Sequence, residues 1–467
     1  MTLKNLEKEL YTVENYNKTI KNIIRNWKKD LLCFCSTIGS IASLSLLFPI
    51  QVTDYTLLHQ ASYYLKFSWY VSLPYLSLYF INRFIGIKKR GKDLLIKKED
   101  ILQNDYSKNK IIFHIVTRGT NYEVATKNTF KTKEMNEYVK QLYNLNYDYE
   151  VWLVTEEDCK EKFENIKDEK IRVIIVPKDF ETENGAKYKG RALEYSRRLM
   201  LKENILNENN FIYYQDEESF IGEDTVFGIL DFIRKNDGYV GRGIITYPRN
   251  FRKSSLDYWE FYRSSQDLDR LIITNKICFH GSHFIINSNI LRKVSFDYKE
   301  TLVEDLKFKD KIAKVYGEKN IKLIKGFCYE SPPLSAIDLL KQRGRWFIGV
   351  MKSMKDVEKI HEKVVRTYYL ISWLSSLPSL IAVVLSAIAP TDTPFFPISG
   401  ILSGFIIYNL IDIYRSGYKL NETYVNSSKL SLLKGLKGLF LESIAPWIAI
   451  YRNIKKEIKG FEVIRKV

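Results

Sequence analysis

No C-x-x-C pair occurs in this chain, and its 467 residues include only five cysteines. Cys33 and Cys35 lie in an apolar stretch, while Cys159, Cys278 and Cys328 are scattered. A disulfide framework and a cysteine-built zinc site are thereby excluded. The chain also lacks internal repeats and low-complexity linkers, which excludes a repeat architecture. Acidic side chains are the minority, with 55 Asp and Glu against 72 Lys and Arg for a formal charge of +17. A surplus of that sign is compatible with nucleic-acid binding. Here, however, the cations gather beside apolar runs, which favours anionic lipid headgroups and small anionic substrates. No nucleic-acid partner is expected.

Charge is missing altogether from several long runs. Leu31 to Ile50 carries none, and at ~1.5 Å per residue it reaches about 30 Å, the thickness of a bilayer core. Thr367 to Thr391 and Thr393 to Ile411 are two further uncharged runs separated by Asp392. A second N-terminal span is predicted around Tyr63 to Ile87, with Lys66 and Arg83 near its ends, where long cations snorkel to headgroups. The first run lies too far from the N-terminus, and is too long, for a cleaved signal peptide.

Lys4, Lys8, Lys18, Lys21, Arg25, Lys28 and Lys29 precede the first run, and Arg415, Lys419, Lys429, Lys434 and Lys437 follow the fourth. By the positive-inside rule both termini and the large middle segment are cytoplasmic, in a multi-pass integral membrane protein. The sequons at Asn421 and Asn426 would then face the cytosol. Leu439 to Tyr451 is apolar but broken by Glu442 and Pro446, and reads as interfacial or re-entrant. The predicted division is residues 1–87 for an N-terminal segment and two spans, 88–350 for one cytoplasmic domain, and 351–467 for an interfacial helix, two spans and a basic tail.

In the middle segment, short runs rich in β-branched and aromatic residues recur: Ile111 to Thr117, Glu150 to Thr155, Ile171 to Val176, Phe211 to Tyr214, Gly238 to Tyr247 and Phe279 to Asn287. Helical patterns such as Lys131 to Leu145 and Ala186 to Ile205 intervene. That alternation predicts an α/β domain with a mostly parallel, Rossmann-like sheet and crossover helices.

Three acids, Asp216, Glu217 and Glu218, follow the Phe211 to Tyr214 run. Open α/β sheets bind ligands at the carboxyl ends of their strands, where carboxylates suit a hard cation that also holds phosphates. At the ends of earlier strands stand Thr117, Arg118 and Gly119, an ordinary surface turn or a seat for a phosphate, and Glu156, in a solvated acidic turn or facing a ribose or base. Lys187, Lys189 and Arg191 open a helix, where cations oppose the dipole but serve an arriving phosphate. His280 and His283 are three apart, yet no other ligands cluster for zinc, and Gly281 and Ser282 between them suit a sugar pocket. Glu304 and Asp305 stabilise a helix's first turn, or Asp305 is a general base. Gln342, Arg345 and Trp346, spaced i, i+3, i+4, share a helix face, which alone would also serve as an interfacial anchor.

Taken in order, Asp216-Glu217-Glu218, Glu304-Asp305 and Gln342-x-x-Arg345-Trp346 resemble the D-x-D, ED and QxxRW signature of membrane family-2 glycosyltransferases. Val116-Thr117-Arg118-Gly119, Gly243-Ile244-Ile245-Thr246-Tyr247, His280-Gly281-Ser282-His283 and Tyr329-Glu330-Ser331-Pro332 are similar to the Egghead-like β-1,4-mannosyltransferases. The likeness covers about Ile111 to Val350.

The resemblance implies a GT-A fold between N- and C-terminal spans and an inverting transfer, with GDP-mannose as nucleotide-sugar donor, or UDP-glucose, and a lipid-linked acceptor. It implies Mn²⁺ or Mg²⁺ on Asp216 and Glu218 and a base at Asp305. Donor contacts would come from Thr117, Arg118, Glu156, Lys187, Asp216, Gln342, Arg345 and Trp346. The acceptor would meet His280, Gly281, Ser282, Glu304 and Trp346. Glu218 stands where many relatives have aspartate. A processive polysaccharide synthase of the same superfamily is the alternative.

Overall fold

The computed structural model describes residues 11–47, 56–235, 238–247, 256–274, 281–299, 301–391, 399–421 and 431–455. Cys278, His280, the Asp392 turn, Asn426 and the basic tail after residue 455 lie outside the described residues.

The strands are β1 Lys110–Thr117, β2 Asp148–Glu156, β3 Ile171–Val176, β4 Asn210–Asp216, β5 Phe220–Ile221, β6 Val240–Thr246, β7 Phe284–Asn287 and β8 Ile321–Tyr329. They form one sheet in the order β3-β2-β1-β4-β7-β6-β8-β5. Successive residues of β1 point into two different cores. Ile111, Phe113 and Ile115 face one, and Ile112 faces the other beside Trp152 and Val154. Burial on both faces explains why these strands read as continuous apolar runs.

Apart from the parallel pair β6 and β8, the expected parallel pairing holds from β3 through β4. Beyond it the sheet is mixed, because β7 runs antiparallel to both β4 and β6. An antiparallel neighbour needs no crossover helix, so the alternation in sequence did not reveal the change of direction. The strand expected from Phe279 starts only at Phe284, after a residue, His283, at φ 55.

The main helices are α1 Val13–Leu47, α2 Phe67–Arg90, α3 Tyr122–Tyr143, α4 Tyr188–Lys202, α5 Glu223–Lys235, α6 Asp257–Thr274, α7 Glu304–Tyr316, α8 Ala336–Ser353, α9 Ile360–Ile388, α10 Ser399–Asn421 and α11 Ser431–Ile454. Among the described residues, α1 and α9 are long and apolar enough to cross a membrane. The first half of α1 is part of the sheet domain. Tyr16, Ile20 and Ile23, spaced as one helix face, join its core. Tyr16 Oη donates to Leu94 O at 3.0 Å, and Asn17 exchanges two bonds with Ile96.

Two cations expected to snorkel instead turn inward, because each finds a partner. Arg83 forms a buried ion pair with Asp412 at 2.8 Å, linking α2 to α10. Lys66, between helix Leu57–Leu65 and α2, donates to the backbone and side chain of Thr391. The sheet domain is tied to α9 as well. Arg366 of α9 grips Asp310 of α7 through two bonds of 2.6 and 2.7 Å. Lys307 of α7 pairs with Asp356 just before α9.

Candidate active site

Parallel register brings Val116 level with Asp216 and Thr117 level with Thr155, so β1, β2 and β4 end along one edge. The acidic triplet begins there. Its three members take different directions. Glu217 turns toward α3, where Thr117 Oγ1 donates to its carboxylate, Asn121 Nδ2 donates at 2.8 Å, and Asn128 Nδ2 reaches its carbonyl at 2.8 Å. Burial, and then the neighbouring Glu218, push the Glu217 carboxyl above the ordinary range. Thr117 is therefore engaged with Glu217 and with the N–H of Gly119.

Asp216 and Glu218 belong to a different cluster. Lys189 Nζ, one residue into α4, pairs with Asp216 and donates to Gly281 O at 2.9 Å. The Asp216 N–H donates to Ser282 Oγ at 3.3 Å. A side chain at Gly281 would meet Lys189 Nζ at 2.9 Å, so the lysine end approaches this backbone closely. Behind the loop, Ser219 Oγ bonds Ser282 Oγ at 2.8 Å and donates to the buried Glu330 at 2.6 Å. Glu330 stood in the Tyr329-Glu330-Ser331-Pro332 motif with no role assigned.

Opposite these groups, α7 presents Glu304 and Asp305 in its first turn. Leu193, Tyr214, Phe284, Phe296 and Phe308 line the small cleft around Asp305, together with Lys189, Gly281 and Glu304. Burial in that apolar lining, and next the charge of Glu304, push the Asp305 carboxyl up to about 7. The Leu306 N–H, at 2.8 Å, and the charges of Lys189 and Arg345 act in the opposite sense.

Arg345 closes the cluster. Burial draws it below its ordinary value, while Glu304, Asp305, Asp216 and Glu218 all favour its charge. Lys189 remains firmly charged, because Asp216, Glu304 and Asp305 outweigh its burial. With Asp305 ionised, four carboxylates face two cations. The remaining negative charge would repel a diphosphate arriving alone, so the residues fit a diphosphate that comes with a divalent cation. Among the described residues no group of three or more His, Cys, Asp or Glu side chains forms an all-protein metal cage. Two carboxylates plus substrate phosphates is a common way to hold Mg²⁺.

Other predicted residues take different places. Glu156 is paired with Arg191, whose remaining nitrogens reach the carbonyls of Pro177, Lys178 and Phe180. Lys187 is an exposed residue at the start of α4, and Lys189 is the cation that reaches the acids. Arg118 lies over the Tyr188 ring at 4.7 Å, and Tyr188 holds φ 56. Gln342 is buried and accepts from Arg343. The Trp346 ring lies near two guanidiniums, Arg343 at 4.4 Å and Arg263 at 4.7 Å.

Residues 211–414, which include the acidic triplet, Glu304-Asp305 and the Gln342 motif, match the family described as glycosyl transferase family group 2. Over those residues the chain is similar to family-2 glycosyltransferases. It is similar to Beta-1,4-mannosyltransferase egh of Drosophila melanogaster, 29% identical over 237 residues, covering 48% of this chain and 50% of that protein. It is also similar to Beta-1,4-mannosyltransferase bre-3 of Caenorhabditis elegans, 28% identical over 252 residues, covering 52% of each. The chain spans about half the length of these curated relatives. Among solved structures, S. aureus TarS is 12% identical with a TM-score of 0.31, covering 66% of this chain and 55% of TarS. The matched residues run from β4 through β8 of the mixed sheet and on into α10. Lys189 precedes the matched residues but lines the same cleft.

Proposed function

We propose that this domain transfers a sugar, mannose from GDP-mannose, to a lipid-borne hydroxyl acceptor at the cytoplasmic membrane face, inverting the anomeric carbon to form a β-linkage. One observation carries the reading: Asp216 at the end of β4 pairs with Lys189, which lines the cleft with Glu304 and Asp305, and all three acids together with Glu218 act electrostatically on Arg345. Asp305 takes the acceptor hydroxyl's proton as its oxygen attacks the anomeric carbon. The bond to the diphosphate breaks on the opposite side, and Arg345 and Lys189 stabilise the charge that builds there. Asp216 and Glu218 would hold Mn²⁺ or Mg²⁺, which supplies further positive charge to the departing diphosphate. The apolar lining around Asp305 keeps its carboxylate basic enough for the task.

Base function requires Asp305 ionised, and its carboxyl is raised to about 7. The sign follows directly: protonation below that value removes the base. kcat/KM for transfer should therefore fall as pH drops below about 7 and level off above it. A flat profile between pH 5 and 8, measured with saturating metal, would remove Asp305 from this role.

The acceptor is proposed to be lipid-linked because α1 and α9, which among the described residues are long and apolar enough to cross a membrane, flank the domain. Arg345 and Trp346 lie in the helix just before α9. A bilayer-borne acceptor is thereby held at high effective concentration. The test is incubation of purified protein with labelled GDP-mannose, UDP-glucose and other nucleotide sugars plus native lipid extract. Label should pass to the organic phase and depend on added lipid. Label only in short water-soluble sugars would overturn the lipid acceptor, and a long polymer from UDP-glucose would point to a processive synthase.

A further inference from the structure

We propose that Glu442, on the C-terminal apolar helix α11, is a positioning residue for the acceptor end of the cleft and acts through Arg343. The inference rests on the glycosyltransferase reading, in which Trp346 meets the acceptor. Arg343 is the fully buried member of the Gln342 to Trp346 segment, with 0% exposure. Its Nε donates to Glu442 at 2.6 Å, while its other nitrogens donate to Glu260 and to the Gln342 side chain. A planar guanidinium engaged at all three nitrogens has no rotational freedom left. It is held 4.4 Å from the centre of the Trp346 ring. Arg263, 4.7 Å from the same ring, is bound to Glu260 at 3.0 Å. Attraction between these cations and the indole fixes where the ring sits.

Glu442 gathers the elements around this cluster. Its carboxylate also accepts from Trp259 Nε1 of α6 at 3.0 Å, and its carbonyl accepts from Trp373 Nε1 of α9 at 3.0 Å. Contact between α8 and α11 is close, for a side chain at Gly344 would come within 3.2 Å of Ala449 Cβ. A displacement of α11 must therefore move Arg343, and with it the adjoining Arg345 and Trp346. A carboxylate inside an apolar stretch is costly, and this one holds Arg343, the near neighbour in α8 of Arg345 and Trp346. Glu442 thus couples the seating of the C-terminal helix to acceptor alignment.

Glu442→Gln removes the charge at nearly constant size, and Trp259→Phe removes only the indole N–H bond to Glu442. Both are made in the full chain, reconstituted in lipid, and assayed with labelled donor and the acceptor found for the parent. Acceptor KM should rise, or kcat fall, by at least about 10-fold in Glu442→Gln, the scale on which outer-shell partners act. Trp259→Phe should give a smaller change in the same parameter. Donor Kd should shift less than the acceptor parameter, and Tm should fall only slightly, because Arg343 keeps its bonds to Glu260 and Gln342. Parental acceptor kinetics in both variants would overturn the inference, as would losses that track a fall in Tm and in donor binding alike. If Glu442→Gln fails to accumulate, Trp259→Phe decides alone. Absence of any sugar transfer by the parent protein is a different result, and counts against the glycosyltransferase reading itself.

Discussion

Replacing Asp305 with asparagine should cut sugar transfer by about 10²–10⁴-fold, the usual cost of losing a positioned base. Asparagine has the same shape and keeps an oxygen that can accept from the Leu306 N–H, so α7 should start as before. Lys189 and Arg345 stay in place, and the cleft loses one negative charge. Donor binding should therefore be unchanged or slightly tighter, which separates this variant from one that damages the fold. The measurements are single-turnover transfer and donor Kd on the same preparation. The acid limb of the pH profile should disappear with the carboxyl. Transfer at the parental rate by Asp305→Asn would show that the base lies elsewhere, with Glu304 the next candidate.

Much of this site was legible because its signals are local. An apolar run followed by acids gives a strand with carboxylates at its end, and β4 closes on Asp216. Spacing of i, i+3, i+4 fixes one helix face, and Arg345 and Trp346 do fall on α8. What failed depended on contacts distant in sequence or on the phase of a helix start. Lys187, Lys189 and Arg191 look alike in sequence. Helix α4 begins at Tyr188, and one or two residues along a helix change direction by about 100° each, so Lys189 meets the acids while Arg191 meets Glu156. Three consecutive acids gave no hint that Glu217 turns inward, because Asn121, just before α3, and Asn128 within it lie 96 and 89 residues away.

Arg343 passed as an unremarked residue between motif positions, since its partners Glu260 and Glu442 lie 83 and 99 residues away. Glu442 itself looked like a flaw in an apolar run. The membrane-proximal cations were misread for the same reason: Arg83 finds Asp412 across 329 residues. Buried charge is read poorly from sequence because its meaning depends on the partner.

Changing Asp216 to alanine tests the metal, because the two readings predict opposite signs. Asp216 now holds Lys189 through an ion pair. Without a metal, removing this carboxylate would release Lys189 and delete a charge that repels the diphosphate, so the donor would bind more tightly. With Mn²⁺ or Mg²⁺ bridging Asp216 and the diphosphate, the same change removes an oxygen ligand from a hard cation. The expected result is weaker donor binding in the presence of metal, by at least about 10-fold, equivalent to about 1.4 kcal/mol. In the parent, excess chelator should abolish both donor binding and transfer, and Mn²⁺ or Mg²⁺ should restore them. In Asp216→Ala, chelator should have little further effect on the residual binding. Calorimetric titration of the nucleotide sugar, with and without metal, gives the sign directly and does not depend on finding the acceptor. Tighter binding by Asp216→Ala, with parental transfer undiminished in chelator, would assign stabilisation of the diphosphate to Lys189 and Arg345 and remove the metal from the mechanism.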